Sequence, residues 1–254
     1  FEEVPLYKRI IERMETEEDS MALRAELQYD ILSMSQLNTI YSRTRKREVT
    51  TDWSQAERKP HTVHVKLESD EQISFNEVID NYIDDNSYSD EWGETRMSQG
   101  ASLGLVQKKR QVASSVYAFL NHERDLENGI DRYREHKDAK FEALMNIIRT
   151  VFSNGESKII VFALFRKTLN YLQIRLRQRG INSVVIHGQV KNRDEELTRF
   201  KDDPSVQVLL SSEVGSEGLD MQFCSSMVSY DLPWNPMVVE QRLGRIDRFG
   251  QESE

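Results

Sequence analysis

Apolar positions fall into two rhythms along this chain. From residue 158 onward they come in short bursts separated by helical stretches. Lys158–Leu164 is a continuous apolar run rich in β-branched residues, as in a strand buried on both faces of a parallel sheet. Arg166–Arg179 has helical spacing and is closed by Gly180. Val184–Ile186 is the next predicted strand, Asp194–Lys201 the next helix, Val206–Leu210 a third strand and Met227–Tyr230 a fourth. Asn235 and Pro236 then open a last helix, because Asn caps a helix and Pro suits its first turn, and Gly250 can end it. Strands alternating with helices predict an α/β fold with a parallel sheet and helices on both faces. Phe162, Leu164, Leu172, Val185, Ile186, Leu209, Leu210 and Val228 are its expected core.

Upstream of residue 158 the pattern is mostly helical. Ile10, Ile11 and Met14, then Leu23, Leu27, Ile31, Met34 and Leu37, recur at helical spacing over residues 1–48. Around 48–60 the pattern breaks, with Trp53 and Pro60 in a predicted linker. His61–Leu67 alternates, with Val63, Val65 and Leu67 on one side, and is predicted to be a strand. Asp70–Ile83 is predicted helical, 84–100 a polar mobile loop, and Leu103–Leu126 and Ala139–Phe152 two further helices. No internal repeat is visible.

Composition narrows the classes. With 254 residues, 38% hydrophobic and 30% charged, the chain can bury a sizeable core. No apolar run approaches the ~20 residues of a membrane helix. The single cysteine, Cys224, excludes an intrachain disulfide and reads as buried and inert. Metal-ligand spacings such as CxxC and HExxH are absent, and a reducing, intracellular home is expected. The first residue, Phe1, is not an initiator Met, which suggests a piece of a longer polypeptide. A net charge of −9 argues against coating nucleic acid by bulk charge, but not against a locally basic groove. The basic runs Arg43–Arg47 and Lys108–Arg110 read as solvated surface when each is taken alone.

The candidate chemistry begins at Gln241–Gln251. On a helix, Gln241, Arg245 and Arg248 sit at i, i+4 and i+7 and share a face, while Val239, Leu243 and Ile246 fall on another that can bury against the sheet. Two guanidiniums braced side by side suit the charge on a transferring phosphoryl group. Two arginines alone would more often be a surface helix. Leu209–Asp220 shifts that balance: it is a strand end followed by hydroxyls, two glycines and an Asp, and ligands of parallel sheets bind beyond the carboxyl ends of strands. Gly215 and Gly218 let the backbone approach a phosphate, Ser212 could donate to one, and Asp220 could accept from a ribose hydroxyl or orient an arginine. Trp234 beside Pro233 is expected to be a packing residue, and His187 to be structurally satisfied. Lys191 and Arg193, near a helix start, could meet backbone phosphate or could equally be solvated charges.

Order and spacing together carry a resemblance. Lys158–Phe165 resembles motif IV of superfamily two helicases, Ser212–Asp220 resembles motif V, and Gln241–Arg248 matches the motif VI pattern QRxGRxxR. Arg248–Gln251, Tyr230–Pro236, and His187-Gly188 with Arg193 and Phe200 resemble the Swi/Snf branch, most closely its bacterial RapA-like members. The match is dense over about 137–251. Upstream, Tyr41–Val49 looks like the basic crossing between the family's two lobes.

The resemblance implies the C-terminal, second RecA-like lobe of a DNA translocase or helicase. Residues 1–48 would be the helical tail of lobe one, 49–67 a linker and first strand of lobe two, 68–135 a helical insertion, and 136–254 the lobe itself. It implies arginine fingers at Arg245 and Arg248, and nucleotide contacts at Gln241, Gly218 and Asp220. Nucleic-acid contacts would fall at Ser212, His187, Gly188 and Lys191. ATP and Mg²⁺ would be held mainly by a first lobe: no GxxxxGK[ST] loop occurs here, and Asp90-Glu91 has no apolar strand before it. Double-stranded DNA and that lobe are the implied partners, with RNA polymerase a further one, in a cytoplasmic, nucleoid-associated setting. An RNA helicase lobe, or a docking module using 68–135, are the rival expectations.

Overall fold

The computed structural model describes residues 11–14, 23, 27, 59–90, 92 and 94–246, with Arg245 described by its backbone alone. The chain divides into two compact units, Phe1–Gln55 and Ala56–Glu254. In the first unit, residues 11–14 are helical and Leu23 and Leu27 are buried helical positions. The rest of the predicted helical tail, the basic segment 41–49 and residues 247–254 lie outside the described residues.

The second unit is built on a four-stranded parallel sheet. Its strands are β3 (Ile159–Phe162), β4 (Asn182–Ile186), β5 (Val206–Ser211) and β6 (Met227–Ser229), in spatial order β4-β5-β3-β6. The apolar run at 158–164 becomes the central strand because every residue of β3 is buried, with helices covering both faces. Helices α5 (Ala139–Ser153) and α6 (Arg166–Gln178) contribute Phe141, Leu144, Ile148, Leu169 and Leu172 to one core, with Ile159 and Val161 of β3. Phe200 of α7 (Arg193–Asp202), with Met221 and Ile246, meets Ile160 and Phe162 on the other face. Helix α9 (Pro236–Ile246) follows β6, and the short turn α8 (Glu213–Ser216) follows β5. Asn235 caps α9, its Oδ1 accepting from Met237 N at 3.0 Å. Gly180, at φ +74°, follows the end of α6 as expected. This is the parallel α/β architecture that the strand–helix alternation predicts, and it fits the RecA-like lobe that the resemblance implies. Leu164, Val185 and Val228 are half-buried; the other expected core residues are fully buried.

Upstream of the sheet, three expectations are corrected. Residues 61–67 form no strand: Val63 and Val65 are exposed, because an alternating segment without a neighbouring strand has nowhere to place its ladder or its apolar side. The polar stretch 84–100 is not a loop throughout. It holds the end of α1 (Ser69–Asn86) and an antiparallel hairpin, β1 (Ser87–Ser89) with β2 (Thr95–Met97), before α2 (Gln99–Ser114) begins. The long helix expected over 103–126 is broken into α2, α3 (Val116–Leu120) and α4 (Glu123–Glu127). Ser115 makes the first break: at φ −162° and ψ 121° it ends α2 and caps α3, its hydroxyl accepting from Ala118 N. Among the described residues, no helix is long and apolar enough to cross a membrane.

The helices upstream of the sheet are fastened to it by buried polar groups. Asp231, beyond β6, accepts from Ser114 Oγ of α2 at 2.7 Å and from Leu164 N at 3.0 Å, and pairs with Lys140 of α5 at 2.9 Å. Glu71, 1% exposed in the first turn of α1, accepts from Glu68 N at 2.8 Å and Ala139 N at 3.2 Å. Asp138 caps α5 through Phe141 N at 2.7 Å and accepts from Tyr171 Oη at 2.8 Å.

Glu71 and Asp138 thus crowd one helix start, and burial pushes both carboxyls above their ordinary range, with the Asp138 charge adding to the rise at Glu71. A raised carboxyl favours the fold while protonated. That contribution is complete below the unfolded values of about 3.9 and 4.3 and is lost as pH rises through the higher folded values. Glu71→Gln removes it at that position. Relative to the parent chain, the variant is expected to gain stability as pH rises above about 4.3 and to level off once Glu71 of the folded parent has ionised, as read by urea denaturation at matched ionic strength. A difference that stays constant with pH would contradict this.

Candidate nucleic-acid interface and arginine helix

The candidate site gathers at the carboxyl ends of β4, β5 and β6. The loop after β4 begins at His187, the loop after β5 contains α8, and the loop after β6 leads into α9. Two backbone approaches lock the first two together. Ser212 N donates to Ile186 O at 3.0 Å, and Gly215 packs so closely that a Cβ there would sit 2.4 Å from Ile186 O and 2.7 Å from His187 Cα. Only glycine fits that position. Ser212 caps α8, its Oγ accepting from Gly215 N at 3.1 Å while the residue remains half-buried.

Arg193 staples the same pair of loops. It is half-buried and donates from Nη1 to Val214 O at 3.2 Å, from Nη2 to Gly188 O at 3.2 Å and from Nε to Val190 O at 3.4 Å. Of the two readings of Arg193, a phosphate contact or a solvated charge, neither describes its donors here, which go to loop carbonyls. Lys191 is exposed, two residues away. His187 is half-buried and accepts at Nδ1 from Gln189 N at 3.2 Å. Burial, then the charges of Arg166 and Arg193, hold its imidazole below the ordinary histidine range, so it is neutral at pH 7. A neutral ring that accepts locally is the structurally satisfied histidine of the sequence reading. Gly188 is exposed beside Val214.

Farther along the β5 loop, Gly218 takes φ +83°, and Asp220 is exposed and accepts from Gln222 N at 3.3 Å. Gln241 is exposed on α9, with no hydrogen bond to Gly218 or Asp220. Arg245 continues that helix, and its position puts it on the stripe of Gln241. Arg248 lies outside the described residues, so the expected pairing of the two arginines does too. Among the described residues, no group of three or more His, Cys, Asp or Glu could hold a metal ion.

Two features escape sequence reasoning. Trp234, expected to pack, is 77% exposed, together with Leu232 and Met237, so the β6–α9 loop presents an apolar rim. Arg242 is only 1% exposed, a larger buried side chain than any apolar residue of α9. It lies over the Phe162 ring at 4.9 Å, donates from Nη1 to Ser229 Oγ at 3.3 Å and Asp231 O at 3.4 Å, and faces Glu213 at 3.6 Å. The signal was present: Arg242 and Ile246 are at i and i+4, so the buried stripe that takes Ile246 takes Arg242 as well.

Residues 139–250 match the helicase conserved C-terminal domain family. The chain is 30% identical over 236 residues to the ATP-dependent helicase YqhH of Bacillus subtilis, covering 86% of this chain and 39% of that protein. It is 42% identical over 118 residues to the RNA polymerase-associated protein RapA of Erwinia tasmaniensis, covering 45% of this chain and 12% of that protein. The chain therefore spans less than half the length of either relative. In fold it resembles the C-terminal part of the Fun30 ATPase domain, with a TM-score of 0.59 at 16% identity, covering 79% of this chain and 84% of that one. It also resembles the Sulfolobus solfataricus SWI2/SNF2 ATPase core solved with double-stranded DNA, with a TM-score of 0.54 at 19% identity, covering 74% and 37%.

Gly215→Ala tests the loop packing. The added methyl must displace the backbone of Ile186 or His187, and the variant is expected to lose about 1–3 kcal/mol of stability by chemical denaturation. Retention of parental stability would mean that the two loops are not held together there.

Proposed function

We propose that this chain, which carries a helicase conserved C-terminal domain over residues 139–250, is homologous to YqhH and RapA and has the fold of a SWI2/SNF2 second lobe, works as the second motor lobe of an ATP-dependent DNA translocase. The observation that supports this most is the joining of the β4 and β5 loops at the carboxyl edge of the sheet, beside the helix that bears Arg245. In this reading, ATP sits between this lobe and a first lobe, which supplies the Mg²⁺ ligands and the grip on the phosphates. Arg245 and Arg248 reach the nucleotide from α9 and its continuation. Gln241, Gly218 and Asp220 line this chain's side of that cleft. ATP supplies the free energy, and what this chain contributes is fixed positive charge from a helix braced by Ile246.

Ser212, Gly188 and Lys191 contact the phosphates of one strand, with His187 fixing the loop as a neutral acceptor. Contacts of this kind are to backbone, so binding is tolerant of sequence and sensitive to salt. The setting proposed is the bacterial cytoplasm, at the nucleoid.

The test is ATP turnover with unbroken duplex DNA. This chain alone is expected to hydrolyse ATP no faster than background. In a polypeptide that carries both lobes, duplex DNA is expected to stimulate turnover, and Arg248→Ala to lower it by ~10³–10⁵. Turnover by the chain alone that Arg248→Ala abolishes would overturn the assignment. Separation of duplex oligonucleotides without stimulation by intact duplex would favour an RNA helicase lobe instead.

A specific observation favours a second, compatible role in docking. Residues 68–98 hold ten acidic residues and one basic, Arg96, a balance of −9 that equals the net charge of the whole chain. At the centre of this acidic segment, the hairpin turn is closed by Asp90 Oδ1, which accepts from Trp92 N and Glu94 N at 2.9 Å each, with Arg96 Nε 2.7 Å from the other oxygen. Trp92 is thereby presented at the tip, 85% exposed. Carboxylates repel nucleic acid, while a presented Trp is a common anchor in protein interfaces. A protein with a basic-rimmed apolar pocket fits this hairpin, and RNA polymerase is the first partner to try. Trp92→Ala is expected to weaken binding of purified RNA polymerase at least ~10-fold and to leave DNA-stimulated ATP turnover of the two-lobed protein unchanged. Equal binding by parent and variant would remove the hairpin from the interface.

A further inference from the structure

The guanidinium of Arg242 is buried, yet it is poorly employed. Its Nη1 makes two long hydrogen bonds, to Ser229 Oγ and Asp231 O, while Nε and Nη2 have no hydrogen-bond partner. Nη2 forms an ion pair with the Glu213 carboxylate at 3.6 Å, longer than a charge-assisted hydrogen bond. Burial lowers the basicity of Arg242, and the Glu213 and Asp231 charges oppose that, yet an arginine keeps its proton in any such setting. A fixed buried charge is therefore paired with Glu213 at ion-pair distance, with room for that pair to tighten into a hydrogen bond.

Position says what such a tightening would mean. Glu213 is the first residue of α8, the turn capped by Ser212, and its side chain is 37% exposed. It moves with the loop that the proposed function places on nucleic-acid phosphate. Arg242 belongs to α9, one turn before Arg245. Asp231 O and Ser229 Oγ hold the same guanidinium to the end of β6, and Phe162 supports its face from the central strand. A planar fork held on two sides by the sheet and open on the third toward a loop can take two arrangements, with the third hydrogen bond made or unmade. Small displacements between packed elements act through discrete contacts of this sort.

We infer that Arg242 and Glu213 form a positioning link between the nucleic-acid loop and the arginine helix: strand phosphate drawing in the Ser212–Ser216 turn closes the Glu213–Arg242 contact and fixes α9 in the register that presents Arg245. The inference rests on the proposed nucleic-acid role of the Ser212 loop and adds to it a route by which DNA occupancy reaches the nucleotide side. Arg242 touches neither nucleic acid nor nucleotide; it acts through the helix.

The test reads backbone hydrogen exchange over residues 236–246 in this chain, with and without saturating duplex DNA, for the parent, Arg242→Lys, Glu213→Gln and the double variant. Lysine keeps the charge and loses the fork; glutamine keeps the shape of Glu213 and loses its charge. Duplex DNA is expected to slow exchange in that helix about tenfold in the parent and less than twofold in each variant, with the double variant no worse than either single one. DNA affinity, measured in the same samples, is expected to stay within twofold. A merely structural role would change exchange in the helix equally with and without DNA, and that result overturns the link. So does full DNA-dependent slowing in both single variants. Should Arg242→Lys fail to fold, Glu213→Gln at its half-exposed position decides the matter by the same comparison. A parent chain that binds DNA without any slowing in 236–246 overturns the link alone, whereas a parent chain that does not bind duplex DNA overturns the nucleic-acid assignment and the link with it.

Discussion

The Asp231 side chain is the point on which the second unit's assembly depends. It lies just beyond β6, 7% exposed, and its two oxygens face three separate parts of the chain: Ser114 at the end of α2, Leu164 N after β3, and Lys140 in the first turn of α5. Its own carbonyl takes a hydrogen bond from Arg242 of α9. Pairs buried in this way contribute little net stability, since desolvation offsets most of the attraction, but removing one member leaves a charge stranded at a cost of about 3–5 kcal/mol. The consequence is specificity of arrangement. Lys140 also donates to Ala113 O and Ser114 O, so the break in the long helical stretch at Ser115 and the position of α5 are set by the same group. Helix α2 is thus fixed to the sheet at its C-terminal end, while the exposed Trp92 marks the tip of the hairpin before it.

That contrast explains how much of the fold was legible. The strands of the sheet could be read because burial on both faces demands unbroken apolar runs, and β3 and β5 supply them. The hairpin at 87–97 could not, because its two strands carry Ser, Tyr, Thr and Arg and bury little, so no apolar alternation marks them. The alternation at 61–67 misled for the opposite reason: periodicity measures whether a segment could be half-buried, and a neighbour must exist to bury it. In the Leu103–Leu126 stretch the helical period persists through Ser115, and the interruption comes from local capping hydrogen bonds that periodicity does not register.

The candidate site was legible in kind and only partly in detail. Ser212 and Gly215 stand where a strand end turns into a loop, and the requirement for a missing Cβ at Gly215 is met by backbone atoms of the adjacent strand. Arg193 shows the limit of reasoning from residue type. A cation near a helix start invites an anion, yet three carbonyls of the surrounding loops take its donors. Nothing in the sequence tells those loops to fold over it. The charge distribution is legible in the sequence. The whole net charge of −9 is accounted for by residues 68–98, leaving the remainder balanced, so an acidic chain can present a lobe that does not repel DNA.

The arginines of QRxGRxxR divide along the helix. Positions 242 and 246 fall on one stripe and 241 and 245 on the next, about 100° round the axis. The first stripe is the buried one, holding Arg242 and Ile246; the second begins with the exposed Gln241. A helix that had to present charge while packing only through Leu and Ile could slide or rotate, because apolar contacts are non-directional. Placing a guanidinium on the buried stripe replaces that freedom with hydrogen bonds of defined direction to Ser229 and Asp231. The register of the exposed stripe is then set by the buried one. Arg242 and Arg245 are chemically alike and three residues apart, yet the helical period puts Arg242 on the buried stripe and position 245 on the stripe of Gln241.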